Sequence, residues 1–156
     1  MITLEKIKDA HKKILPYINY TPLVNSQYLS KNFSVKLKLE NFQITGSFKL
    51  RGALNKLLSL NDDEKEKGVI AVSTGNHGKG VAYAAKVLGI KSTIYMSSMV
   101  PNYRKEAIES LGAKVEIVGK NSDEADLFAK KLSKEKNITL IHPFDDEDII
   151  IGQGTT

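Results

Sequence analysis

Lys49 stands where a helix is predicted to begin, and that position suits the chemistry of a free amine. An apolar pattern at helical spacing spans residues 48–60, so Lys49 falls in the first turn. The positive end of the helix dipole and burial both lower the pKa of an amine placed there. Formation of a Schiff base with a carbonyl carbon requires a neutral amine. Lys49 is therefore a candidate nucleophile, and an ordinary surface lysine is the alternative when it is considered alone.

A glycine-containing polar segment, Ser73-Thr74-Gly75-Asn76-His77-Gly78, separates a short apolar run from a second helical pattern. Backbone N–H groups at the start of a helix bind anions, and glycine lets a ligand approach the backbone closely. The segment is a candidate site for a phosphate or a carboxylate, with a plain turn as the alternative. It does not match the Walker A loop, because Ser73 replaces a glycine and Gly80 replaces a serine or threonine. Its glycine spacing also inverts the dinucleotide-binding fingerprint.

The two stretches are more specific together than either is alone. Glu40 followed by Thr45-Gly46-Ser47-Phe48-Lys49-Leu50-Arg51-Gly52-Ala53 resembles the pyridoxal-phosphate (PLP) attachment site of serine and threonine dehydratases, and segment 73–78 resembles their asparagine loop. The family is the fold-type II PLP enzymes, which includes threonine dehydratase, serine dehydratase and serine racemase. The resemblance covers the whole chain, and residues 96–101 and 143–146 look similar to the hydroxyectoine-utilisation dehydratases.

The resemblance implies how the cofactor PLP is held. Lys49 would bind it as a Schiff base, be displaced by the amine of the substrate, and then act as the base at Cα. Phe48 would pack close to the cofactor. The side chain of Asn76 would form a hydrogen bond with the phenolic oxygen of PLP.

The same resemblance implies where an amino-acid substrate binds and what happens to it. Ser73 and the backbone around Gly75, Asn76 and His77 would hold its carboxylate, with Thr74 in the same substrate-binding set. Related racemases carry serine in place of Thr74, whereas threonine dehydratases commonly carry alanine. We predict a lyase that converts a β-hydroxy amino acid such as threonine or serine to a 2-oxo acid and ammonia. An amino-acid racemase and an inactive isolated domain are the alternatives.

The elements around these stretches alternate between strands and helices. Apolar strands are predicted at residues 69–72, 93–96, 115–118 and 138–141, with helical patterns between them. This alternation implies right-handed crossovers and an open, doubly wound parallel α/β sheet. Ligands of such sheets bind beyond the carboxyl ends of the strands, so the loop after Val72 is the expected site.

Smaller patterns predict the flanking elements. Thr3 caps a helix that carries His11 on its apolar face, where a core or boundary position is expected. Residues 35–40 alternate as a strand does, and a charged turn is predicted to end at Gly68. Pro101 opens a helix whose first turn, with Tyr103 and Arg104, is a candidate lid.

The length sets the expected domain organisation. Members of the family are about twice as long, and their phosphate-binding loop and pyridine-nitrogen contact lie beyond Thr156. We therefore expect residues 1–46 to form the N-terminal part of a large PLP domain and residues 47–145 a small α/β domain. Residues 146–156 would start the return to the large domain, and the activity of the chain alone would be incomplete. Full-length relatives are expected to be homodimers.

Composition excludes several other classes of protein. The 156 residues include no cysteine, which rules out disulfides, thiolate zinc sites and cysteine nucleophiles. The net charge of +5 comes from lysines interspersed with acidic residues, so we expect no nucleic-acid partner. No apolar run suits a signal peptide or a membrane span, and a cytoplasmic location is expected. The acidic residues 145–148 beside His142 suit a helix start better than a metal site, and no metal is predicted.

Overall fold

A computed structural model describes all 156 residues. Seven α-helices and six β-strands follow one another along the chain. The helices are α1 (Leu4–Ile14), α2 (Lys49–Ser59), α3 (Asp62–Lys67), α4 (Asn76–Val87), α5 (Asn102–Glu109), α6 (Ser122–Lys136) and α7 (Glu147–Gln153). The strands are β1 (Leu23–Asn25), β2 (Lys36–Lys38), β3 (Val69–Val72), β4 (Ser92–Met96), β5 (Lys114–Ile117) and β6 (Thr139–Leu140).

The main sheet has four parallel strands in the order β5-β4-β3-β6. Val69 of β3 pairs with Ser92 of β4 on one side and with Thr139 of β6 on the other. The chain thus moves outward from β3 to β5 and then returns to the opposite side of β3. The carboxyl ends of β3 and β6 consequently face a topological switch point, where α/β sheets bind ligands.

Helices cover both faces of this sheet. On one face, Ile70 and Tyr95 pack against Ala129 of α6. The opposite face lies in the larger core, where Ile94 packs with residues of α2 and α4 such as Leu50 and Val81. The predicted doubly wound α/β fold is confirmed. None of the helices combines the length and the apolar composition needed to cross a lipid bilayer.

Close helix contacts at glycines determine where α2 lies. A Cβ added at Gly80 of α4 would lie 3.1 Å from the backbone carbon and oxygen of Lys49. A Cβ added at Gly152 of α7 would lie 2.6 Å from the Cα of Gly52. The contact at Gly152 leaves no room for a side chain, and the contact at Gly80 leaves so little that a Cβ would push the backbone of α2 away.

The N-terminal elements differ partly from the sequence predictions. The oxygen of Thr3 accepts a hydrogen bond from the Lys6 amide and caps α1, as expected. His11 is exposed, however, so the expected core or boundary position is wrong. β1 and β2 form a separate antiparallel pair with an exposed apolar side chain, Leu23, on β1. The division at residues 46 and 145 stays a prediction.

Two further boundaries are corrected. The charged segment before Gly68 is not a turn but helix α3, because Asn61 and Glu64 form a reciprocal capping box at its start. Helix α4 begins at Asn76 rather than at Gly78, so the asparagine belongs to the first turn of the helix.

Candidate functional site

Two loops border a crevice beyond the carboxyl ends of β3 and β6. The first loop, residues 73–78, follows β3, and the second loop, residues 141–146, follows β6. The first loop is closed by the Ser73 hydroxyl, whose oxygen accepts hydrogen bonds from the amides of Gly75 (3.2 Å) and Gly78 (2.9 Å). Gly78 packs closely against α5, because a Cβ there would lie 2.7 Å from Cδ1 of Ile108 and would displace the end of that side chain. The hydroxyl of Ser73 is thus used to shape the loop.

Lys49 opens α2, as predicted, and its amine reaches the second loop. Nζ donates a 2.7 Å hydrogen bond to the carbonyl oxygen of Pro143. Burial lowers the pKa of Lys49 below its ordinary value. The Phe48 ring is exposed, and its centroid lies 5.5 Å from the amine of Lys49. The site therefore holds an amine with an increased neutral fraction beside an open aromatic surface.

The ring of His77 lies underneath this crevice. It is buried, and Nε2 lies 2.9 Å from the carbonyl oxygen of Ile141, in the second loop. Burial, with smaller effects from the charges of Lys49 and His142, lowers the pKa of His77 to about 4. The sequence suggested only a backbone role for His77, and the contact of its ring was missed.

Thr74, Gly75 and Asn76 line a cleft of about 390 Å³ between the first loop and α5. The side chain of Asn76 is exposed at the start of α4 and free to bind a ligand oxygen. Arg104 of α5 reaches across the cleft, and its Nη1 lies 3.4 Å from the carbonyl oxygen of Thr74. Lys79 also lines this cleft, which the sequence analysis did not anticipate.

A buried ion pair fixes the segment before Lys49. Arg51 donates to Glu40 from Nε (2.8 Å) and from Nη2 (2.7 Å), and the Thr21 hydroxyl donates to the same carboxylate. Burial by itself raises the pKa of Glu40, but the hydrogen bonds from Arg51 and Thr21 outweigh it, so the pKa is lowered. The intervening hydroxyls of Thr45 and Ser47 are buried without hydrogen-bond partners.

The acidic residues after His142 have structural partners. Asp146 caps α7 by accepting from the Ile149 amide, and it pairs with Lys56 at 2.8 Å. Asp148 pairs with the same lysine at 3.2 Å. The Nδ1 atom of His142 accepts from the Asp145 amide at 2.8 Å and closes the second loop.

The residues of the crevice fit a ligand such as PLP. Lys49 offers an amine for covalent attachment to an aldehyde, and burial lowers the pKa of that amine. Asn76 offers an unengaged amide at the start of α4, and Phe48 offers an open ring face. The unpartnered hydroxyls of Thr45 and Ser47 leave hydrogen-bonding capacity beside the lysine.

Comparison with solved structures finds chains of similar fold. The serine racemase of Dictyostelium discoideum superimposes with a TM-score of 0.90 at 38% identity, over 99% of this chain and 51% of that one. The processed form of threonine deaminase isoform 2 from Solanum lycopersicum gives a TM-score of 0.86 at 36% identity, over 99% and 44% of the two chains.

Comparison of sequences gives the same result. The catabolic L-threonine dehydratase TdcB of Staphylococcus aureus (strain USA300) is 48% identical over 158 aligned residues, which cover 99% of this chain and 46% of that protein. The chain thus spans about half the length of the relatives it matches. The model of the family described as pyridoxal-phosphate dependent enzyme matches residues 14–156. The chain therefore belongs to the pyridoxal-phosphate dependent enzyme family.

Proposed function

We propose that this chain forms the lysine-bearing half of a PLP-dependent lyase that acts on a β-hydroxy amino acid such as threonine or serine. The observation that carries the proposal is the Lys49 amine, which faces the switch-point crevice with a lowered pKa. The 48% identity to an L-threonine dehydratase supports the choice of reaction.

Each residue of the site has a role in this proposal. Lys49 holds the cofactor covalently and later accepts the proton from Cα of the substrate. Asn76 donates to the phenolic oxygen of the cofactor, and Phe48 packs close to it. When bound, PLP supplies an electron sink that stabilises the negative charge at Cα.

The first loop binds the substrate. Backbone amides around Gly75, Asn76 and His77 lie at the positive end of α4 and suit a carboxylate. Ser73 both shapes this loop and lies within reach of the bound anion, and Thr74 completes the set. Departure of the β-hydroxyl as water, followed by hydrolysis, gives a 2-oxo acid and ammonia.

The remaining parts of the site are assigned to residues outside this chain. The phosphate of PLP and its pyridine nitrogen are bound, in this proposal, by a second segment that completes the large domain. A homodimer, a cytoplasmic location and a role in hydroxyectoine utilisation belong to the same proposal, with the sequence resemblance as their support.

A racemase is the second candidate. It is favoured by the Thr74 hydroxyl, which lines the cleft, and by the similarity to a serine racemase. Replacement of Thr74 by alanine in the assembled enzyme abolishes D-serine formation if Thr74 is the second acid–base group, and it leaves 2-oxo acid release intact. Chiral chromatography of the products from L-serine measures D-serine formation, and a ketoacid assay measures 2-oxo acid release.

Reconstitution tests the main proposal. The chain is mixed with PLP, alone and with the carboxyl-terminal half of the Staphylococcus aureus relative, then reduced with borohydride and mapped by mass spectrometry. We expect the cofactor on the peptide that contains Lys49, and 2-oxo acid release from threonine when both halves are present.

Two variants make the reconstitution decisive. Lys49→Ala removes cofactor attachment, whereas Lys86→Ala, at an exposed position of α4, leaves it unchanged. Absence of attachment in the presence of the complementary half would contradict the proposal and favour an inactive domain. Attachment at lysines other than Lys49 would contradict it equally.

A further inference from the structure

His77 connects the two loops of the crevice through its side chain. The residue is 5% exposed, and Nε2 lies 2.9 Å from the carbonyl oxygen of Ile141. A carbonyl oxygen can only accept a hydrogen bond, so Nε2 must carry the proton. The ring therefore joins the first turn of α4 to the segment that follows β6, in one defined tautomer.

The environment of the ring keeps it neutral. The lowered pKa of His77, about 4, means that the imidazole carries one proton at neutral pH. Since that proton is on Nε2, Nδ1 has a free lone pair, and this buried atom has no hydrogen-bond partner. An unpartnered buried acceptor is destabilising, and the hydrogen bond that Nε2 donates to Ile141 opposes this cost. The neutral ring thus offers one donor, which the Ile141 carbonyl group accepts.

Ile141 is held from two sides by the unit of β3 and α4. Its amide donates to the carbonyl oxygen of Ile70 at 2.8 Å, and its own carbonyl oxygen accepts a hydrogen bond from Nε2 of His77. Its side chain is completely buried. The backbone position of Ile141 is therefore fixed at both polar groups.

Ile141 lies two residues before Pro143, whose carbonyl group contacts Lys49. The oxygen of Pro143 accepts from Nζ of Lys49 at 2.7 Å. Between Ile141 and Pro143, Nδ1 of His142 accepts from the amides of Phe144 and Asp145 and closes the loop. A shift of Ile141 would consequently move the acceptor of the lysine amine.

We propose that His77 is a positioning residue, whose ring holds the loop after β6 so that the carbonyl group of Pro143 receives the amine of Lys49. The link between His77 and Lys49 is a property of this chain. Its importance for catalysis rests on the function proposed above.

A hydrogen bond of the same kind at the other end of β6 provides a matched control. The hydroxyl of Ser133 donates to the carbonyl oxygen of Ile138 at 2.7 Å. Ser133→Ala removes a hydrogen bond from a side chain to a carbonyl group that flanks β6, as His77→Leu does, but at the end of β6 that lies away from Lys49. A general loss of stability would affect both variants alike.

Two measurements on the purified chain test the proposal without cofactor. One is amide hydrogen exchange at Phe144 and Asp145. The other is the pH dependence of Lys49 acetylation, followed by peptide mass spectrometry with Lys86 as the internal reference. We expect His77→Leu to accelerate hydrogen exchange at both amides about fivefold, which is the effect of losing one hydrogen bond. We also expect it to raise the pH midpoint of Lys49 acetylation, because the amine becomes exposed.

His77→Gln and Ser133→Ala complete the design. The glutamine amide can donate from the position of Nε2, so His77→Gln retains the wild-type exchange rates and midpoint. Ser133→Ala leaves the exchange rates and the acetylation midpoint unchanged, after the exchange rates are corrected for any change in global stability. Wild-type values in a folded His77→Leu protein would overturn the proposal.

The remaining outcomes are also decisive. If His77→Leu does not fold, the test rests on the folded His77→Gln variant. Wild-type exchange rates and a wild-type acetylation midpoint in that variant support the proposal, and altered ones overturn it. If all values follow the proposal but reconstitution fails to attach PLP, the proposed function is contradicted while the positioning role stands.

Discussion

The ε-amine of Lys49 and the carbonyl oxygen of Pro143 are joined by a 2.7 Å hydrogen bond across 94 positions of sequence. The bond spans the crevice at the switch point of the sheet. It gives the amine a neutral acceptor, whereas ten other lysines of this chain pair with a carboxylate, as Lys67 does with Asp63. A lysine with no carboxylate partner has no charge that stabilises its protonated form.

We predict that Lys49 titrates below its ordinary value of 10.5. Burial disfavours the protonated form of the folded chain, so the contribution of Lys49 to the free energy of unfolding increases as the pH rises through the folded pKa. Carbon-13 NMR of reductively methylated protein measures the midpoint, with Lys49→Arg identifying the signal. A midpoint at or above the ordinary value would contradict the burial argument.

The buried pair of Arg51 and Glu40 should contribute strongly to stability. Arg51→Ala leaves an unpaired carboxylate in the interior, and we expect it to lower the free energy of unfolding by about 3–5 kcal/mol. Arg51→Lys keeps the charge but cannot reproduce the two parallel hydrogen bonds, so it should restore only part of the loss. Urea unfolding followed by circular dichroism measures both changes.

An exposed ion pair serves as the control for this prediction. Lys130 and Asp126 lie 2.7 Å apart on the surface of α6. Lys130→Ala should change the free energy of unfolding by less than about 1 kcal/mol, because solvent screens such pairs. Equal losses in the Arg51 and Lys130 variants would disprove the difference between the buried and the exposed pair.

Glu40 should also make stability depend on acid pH. Its pKa is lowered from 4.5 in the folded chain, so its contribution is fully present above the unfolded pKa and is lost as the pH falls through the folded pKa. Glu40→Gln should be less stable at neutral pH and show a shallower decline in acid. Thermal melting at a series of pH values tests this, with Glu5→Gln on the exposed face of α1 as the control. An unchanged slope in Glu40→Gln would count against the assignment.

Gly80→Ala should displace the start of α2. The added Cβ would lie 3.1 Å from the backbone of Lys49 and Leu50, atoms that cannot rotate away. We expect a loss of about 1–3 kcal/mol in the free energy of unfolding and weaker cofactor attachment in the reconstituted protein. Lys86→Ala, in the same helix, should change neither quantity. Wild-type attachment in Gly80→Ala would show that the contact does not position the lysine.

The elements that have a periodic pattern could be located from the sequence alone. The four apolar strands, the start of α2 and the loop after β3 follow from spacing and glycine punctuation, and their positions are confirmed within two residues. Helix α3 was missed because a run of charged residues has no apolar period, although its cap residues Asn61 and Glu64 were visible. His11 was placed wrongly because a helical pattern alone does not show how far the neighbouring elements cover it.

The contacts that organise the site were not predictable in this way. His77 meets Ile141 across 64 positions, and the acceptor in each of the two key bonds is a backbone carbonyl group, which every residue possesses. Arg51 and Glu40 are 11 positions apart, but Glu40 precedes α2 and Arg51 lies within it, so no single helical or strand pattern connects them. Only the return of the chain to β6 brings Ile141 to His77 and Pro143 to Lys49.

The strand order β5-β4-β3-β6 also separates the connections that border the crevice from those that do not. Both crevice loops border β3 and β6, whereas β4 and β5 lie on the far side of β3. The connections at residues 88–91 and 110–113 enter β4 and β5 at their amino ends, the edge opposite the crevice. Insertions at these connections extend the molecule away from Lys49. That edge is therefore where added segments would change the surface of the molecule without displacing the loops around the amine.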